Sequence, residues 1–186
     1  MRHIKTLIKT SVCVTSLCMA GPAFATVSSH DWYAGLNGDL TWLRHSDTGG
    51  GGNVDLGYAF SDIRLEGDVG YNGASGKNGY SGTHYLAYMG NIYYDFTKVF
   101  PSSSGLQVVP YIGAGAGDAQ IHFGNSGVAT TLHHHESTFA YQGMAGLGFI
   151  SPSMPNTDWF VGYRYLGTDE NNLHANNLEA GVRFHF

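Results

Sequence analysis

Cysteine is nearly missing from this chain of 186 residues: the only two are Cys13 and Cys18. Processing that removes the N-terminus removes both, which excludes a disulfide framework for what remains. Long apolar runs are also missing. Beyond residue 25 no stretch approaches the roughly 20 apolar residues a helical membrane span requires, so the chain crosses a membrane as a β-barrel or not at all. Basic residues are few. Beyond residue 25 there are six Lys and Arg against fourteen Asp and Glu, a net charge of −8 that argues against nucleic acid as a partner.

What the chain does contain begins with a leader. Arg2, Lys5 and Lys9 form a positive segment, Thr10 to Met19 is mainly apolar, and Ala23-Phe24-Ala25 has the small-x-small form of a signal-peptidase site. Cleavage between Ala25 and Thr26 divides the chain into a secretory signal peptide, 1–25, and a single domain, 26–186. Glycine supplies 27 of the 186 residues, about twice its usual ~7% share, and aromatic residues are abundant. Glycine lets a narrow sheet curve, and aromatics mark the interfaces of a membrane barrel.

The last eleven residues carry the clearest pattern. Leu178, Ala180, Val182, Phe184 and Phe186 alternate with Glu179, Arg183 and His185. A period of two places these on opposite faces of a strand. The same alternation recurs along Trp32 to Trp42, Val54 to Phe60, Ile63 to Tyr71, Leu86 to Phe96, Val109 to Phe123, Phe139 to Phe149 and Trp159 to Tyr165. An apolar face toward lipid and a polar face toward a lumen explain both halves of the alternation. The expected fold is all-β: an eight-stranded antiparallel up-and-down transmembrane β-barrel.

Several details of that fold are expectations. Arg44 to Asn53, with Gly49 to Gly52, reads as a flexible loop, and Asn72 to Thr83, Gly124 to Ser137 and Gly167 to Ala175 read as the other loops at the same end. In the fifth strand Val109, Tyr111, Gly113, Gly115, Gly117, Ala119, Ile121 and Phe123 read as the outward set, opposite Asp118, Gln120 and His122. Ile112 and Ala114 could also face lipid.

The terminal Glu179-x-Gly181-x-x-Phe184-x-Phe186 resembles the strand signal by which Gram-negative bacteria assemble outer-membrane barrels. Together with Trp32-Tyr33-Ala34-Gly35, Pro110-Tyr111-Ile112-Gly113-Ala114-Gly115 and Gly162-Tyr163-Arg164-Tyr165-Leu166, it makes the chain resemble the opacity-protein and outer-membrane-protein-A-like family of eight-stranded barrels. The resemblance implies an outer-membrane protein in contact with membrane lipid and the barrel-assembly machinery. It also implies a surface role, often antigenic or adhesive, a host or cell-surface ligand taken by the loops, and no catalytic site or cofactor.

Asp39, Arg64, Glu66, Asp68, Asp95, Arg164, Glu179 and Arg183 share the inward parity. Charges buried in a narrow lumen must pair, so Arg64, Arg164 and Arg183 are expected to meet Glu66, Asp68 and Glu179. A plugged structural lumen is the favoured reading, with a gated ion path as its alternative. His133, His134, His135 and Glu136 could bind a metal, but neighbours in an extended chain point alternately, and no metal site is assigned. A lipid A-modifying enzyme is the other alternative, resting on His45, Ser46 and Asp47 in the first loop and His174 in the last one. A charged lumen suits no acyl chain.

Overall fold

The computed structural model describes residues 30–43, 48–74, 83–100, 105–123, 136–169 and 173–186. Eight strands run in chain order: β1 (His30–Leu43), β2 (Thr48–Phe60), β3 (Ile63–Ala74), β4 (Thr83–Asp95), β5 (Gln107–Phe123), β6 (Glu136–Ser151), β7 (Met154–Thr168) and β8 (His174–His185). Each pairs antiparallel with the next, and β8 returns to pair with β1, closing the barrel. In the closing seam Tyr33 lies opposite His185 and Leu43 opposite Ala175. Closure leaves no sheet edge, the condition for exposing strands to lipid.

The alternation sorts the side chains as its period requires. Leu36, Val54, Leu65, Ile92, Phe139, Val161 and Leu178 lie outward and exposed, while Asn37, Asp39, Asn53, Arg64, Glu66, Asn91, Gln142 and Glu179 lie inside. Trp32 and Trp42, ten positions apart on the outer face of β1, are both exposed. This is the arrangement of a wall with aromatic residues at its two rims.

Two expectations are corrected. The four glycines 49–52 are strand rather than loop: Gly49 to Gly52 pair in register with Thr41 to Gly38 on β1 and with Ala74 to Tyr71 on β3. A side chain on Gly51 would run into the Asn72 amide and the Tyr71 carbonyl, so glycine lets neighbouring strands close where another residue would hold them apart. In β5 the facing is reversed. Tyr111, Ala119 and Ile121 are buried in the lumen, while Ile112 is exposed on the wall, and Asp118 is exposed too. The reason is volume. Gly113 and Gly115 point inward because the Tyr93 ring and the Asn91 amide of β4 occupy the space their side chains would fill.

At the end that carries the termini the turns are tied together. Ser61 and Asp62 link β2 to β3, with Ser61 in the left-handed region at φ 57°. Asp62 accepts a hydrogen bond from the Asp95 amide at 2.8 Å and one from the Thr97 hydroxyl at 2.6 Å. At the opposite end the connections pass through 44–47, 75–82, 124–135 and 170–172, which lie outside the described residues. His45, Ser46, Asp47 and His133 to His135 therefore lie outside them, as do Ala23, Ala25 and Thr26.

Candidate functional site

The lumen is where the charged residues of the strands converge, in three layers. Nearest the termini, Arg64 holds Asp95 through two bonds, Nε to Oδ2 at 2.6 Å and Nη2 to Oδ1 at 2.9 Å. A two-point pairing of this kind fixes orientation as well as charge. The same guanidinium lies 4.6 Å from the centre of the Tyr93 ring. Arg183 packs on Phe160 at 3.9 Å and reaches Asp158 at 3.3 Å, where His185 also approaches at 3.7 Å. The Tyr111 ring lies between the two arginines, 5.4 Å from one and 5.5 Å from the other. Aromatic faces in this position offset part of the cost of burying a cation.

The middle layer is a hydrogen-bonded network. Glu66 accepts the hydroxyls of Tyr33 at 2.8 Å and Tyr93 at 2.9 Å, with the Asn91 amide at 3.3 Å. Asp68 accepts from Asn91 at 2.6 Å, Gln142 at 3.2 Å and Arg164 at 3.2 Å. Arg164 also donates to Glu179 at 2.9 Å, so one cation joins β3, β7 and β8 across the lumen. Asn53 donates to both Asn37 and Asp39, at 2.8 and 2.9 Å.

Toward the far end the lumen turns apolar. Thr41 and Asn177 bond across the seam at 2.7 Å. Beyond them Tyr85, Ala87, Met89, Ala119, Ile121 and Leu166 form a buried cluster. Side chains from all eight strands fill this interior.

Of the anticipated pairings, Arg164 meets Asp68 and Glu179. Arg64 pairs instead with Asp95, and Arg183 with Asp158, which directly precedes the alternating run from Trp159 to Tyr165. Glu66 is held by neutral donors instead, the Tyr33 and Tyr93 hydroxyls and the Asn91 amide. Tyr111 reads as outward from the sequence, and the part Tyr33 and Tyr93 play as hydrogen-bond donors to Glu66 carries no signal in the chain order. Asp55, 4% exposed between Val54 and Leu56, was legible from its parity; neither of its oxygens has a hydrogen-bond partner among the described residues.

Of the described histidines, His84 and His122 are Cα partners across β4 and β5. His174 accepts or donates at 2.7 Å with the Tyr165 hydroxyl and stacks on that ring at 6.0 Å. His84 stacks on Tyr71 at 6.0 Å. Among the described residues no group of three or more His, Cys, Asp or Glu has the geometry of a metal site.

The sequence profile of the outer membrane protein beta-barrel domain matches residues 10–186. Neisserial surface protein A has a similar structure, with a TM-score of 0.63 and 21% identity over 86% of this chain and 98% of that one. The outer membrane protein OprG of Pseudomonas aeruginosa gives a TM-score of 0.52 and 10% identity over 86% of this chain and 96% of that one. At these identities the likeness concerns the fold alone. Comparison with curated proteins returns no match.

Proposed function

The chain belongs to the outer membrane protein beta-barrel domain family, and from that premise we propose that it is a closed, non-enzymatic barrel of the Gram-negative outer membrane whose recognition is done by surface loops. The leader 1–25 would direct export and leave at Ala25, with Thr26 as the new N-terminus. Glu179, Gly181, Phe184 and Phe186 would present the terminal strand to the assembly machinery. The end carrying the termini and short turns would then face the periplasm, and the connections through 44–47, 75–82, 124–135 and 170–172 would face outward.

One observation supports this reading above the others: the lumen is packed with side chains while the wall is apolar. A lumen crossed by the Arg164, Asp68 and Glu179 pairs and packed by Tyr85 and Met89 would offer a solute no path. A wall of exposed Leu, Val and Ile is committed to lipid. Loops are the remaining surface for a partner, and loops on a rigid scaffold commonly carry recognition. Their Gly, Asn, Ser and His content suits adaptable contacts with a host or neighbouring-cell surface.

The experiment replaces 124–135 with a short Gly-Ser turn in the full chain and measures folding and cell adhesion together. Retained heat-dependent gel migration with reduced adhesion supports the proposal. Unchanged adhesion after all four connections are shortened would leave a structural membrane role in its place.

A further inference from the structure

The outer wall carries a broad recess. Across β3, β4 and β5 the register sets Gly67 opposite Gly90 and Gly90 opposite Ala116. A side chain built on Gly67 would meet nothing within 4 Å, and one on Gly90 only the Ala116 carbonyl at 3.8 Å. The result is an open apolar groove of about 760 Å³, walled by Leu56, Tyr58, Leu65 and Ile92 and running to Ala114 and Ala116. Its β5 side continues to Asp118, two positions beyond Ala116 on the same outward face.

Asp118 is the exception on this wall. Among the described residues it is the one Asp, Glu, Lys or Arg on the outward face of the strands, and it is exposed. Its Cα partners are Tyr88 and Phe139. The Ser137 hydroxyl donates to it, but a neutral donor leaves the charge in place. An ionised group against a bilayer is costly unless a cation meets it. No described cation of this chain can do so: Arg64, Arg164 and Arg183 are buried in the lumen, and Lys98 reaches Asp62 in the turns at the other end. A second copy brings the same wall, with no Lys or Arg on its outward face among the described residues. We propose that the groove binds one glycerophospholipid with an ethanolamine headgroup, an acyl chain lying along Gly67, Gly90 and Ala116 and the ammonium paired with Asp118.

The refolded barrel is equilibrated with equimolar phosphatidylethanolamine and phosphatidylglycerol in mixed micelles, and the retained lipid is weighed by native mass spectrometry. The wild type should prefer the ethanolamine lipid on the order of threefold, the size an exposed ion pair supports. Asp118→Asn should remove the preference while lipid is still retained. Gly90→Leu, or Gly67→Leu from the neighbouring strand, should remove retention itself, with folding confirmed by heat-dependent gel migration. Equal retention of both lipids by the wild type overturns the proposal. So does an unchanged preference in Asp118→Asn, full retention in both leucine variants, or the mass of a second barrel in place of the lipid.

Discussion

The ring of Tyr33 lies where a side chain on Gly57 would have to go, with the nearest ring atoms closer than any real contact to a Cβ placed there. Gly57 is the Cα partner of Tyr33 across β1 and β2. The glycine lets the tyrosine lie flat over the neighbouring strand and bring its hydroxyl to Glu66 at 2.8 Å. Gly57→Val therefore drives the ring out of place and is expected to cost about 1–3 kcal/mol, as overpacking does. Urea unfolding of the refolded barrel in detergent measures it. Gly67→Val, facing open space, is the control and should leave the midpoint almost unchanged.

Tyr33→Phe tests the hydroxyl alone. The ring stays to fill the space above Gly57, while Glu66 keeps the Tyr93 and Asn91 donors and loses one of three. A loss of about 1–3 kcal/mol is expected for a buried acceptor deprived of a partner. A midpoint equal to that of the wild type would show that Tyr33 acts by volume only.

Arg164→Leu should be among the most damaging substitutions in the barrel. It strips Asp68 and Glu179 of their shared cation at 3.2 and 2.9 Å, and breaking a buried pair costs about 3–5 kcal/mol. The triple change Arg164→Leu, Asp68→Asn, Glu179→Gln should recover much of that loss, because the uncompensated charges leave with the cation. The same urea midpoints decide it.

Planar-bilayer recording tests the filled lumen directly. The wild type should give no large, stable conductance, since Arg164 and its partners cross the lumen at mid-height. Steady wild-type channels would favour a solute pore.

For the terminal strand, changing Phe184 and Phe186 to Ser should lower insertion into the outer membrane while export continues. Both residues are exposed on the wall at the end of the chain, 53% and 74%, so neither supports the lumen. Fractionation of inserted and periplasmic protein makes the measurement, and normal insertion in the double variant would remove these rings from the assembly signal.

Strand number and closure were legible because six of the strands alternate residues whose preference is unmistakable, as Leu65, Glu66, Asp68 and Val69 do in β3. β5 was not legible in this way. Glycine has no side chain to declare a face, so Gly113, Gly115 and Gly117 left Tyr111 and Ile112 to compete for the outward position. The outcome depended on Tyr93 and Asn91, side chains from another strand that need the empty space. The glycines at 49–52 misled for the same reason: composition suggests a loop, but pairing on both sides makes a strand. Inward carboxylates were legible by parity, but their partners were not. Which guanidinium reaches which acid depends on register between strands, and Arg64 finds Asp95 only because β3 and β4 pair with Arg64 opposite Tyr93.

The bond between Thr41 and Asn177 joins the first strand to the last, 136 residues apart in the chain. This separation sets an order of events. No part of the seam can form until the C-terminal strand has been synthesised, and bringing such distant segments together carries a large loop-closure entropy. Until then β1 presents an unpaired edge, open to pairing with any other strand it meets. A chain truncated before Asn176 would keep that edge permanently. Stop codons late in the message should therefore yield an aggregating or degraded product rather than a slightly smaller barrel, and a holding factor would be needed for as long as the nascent chain waits for its final strand.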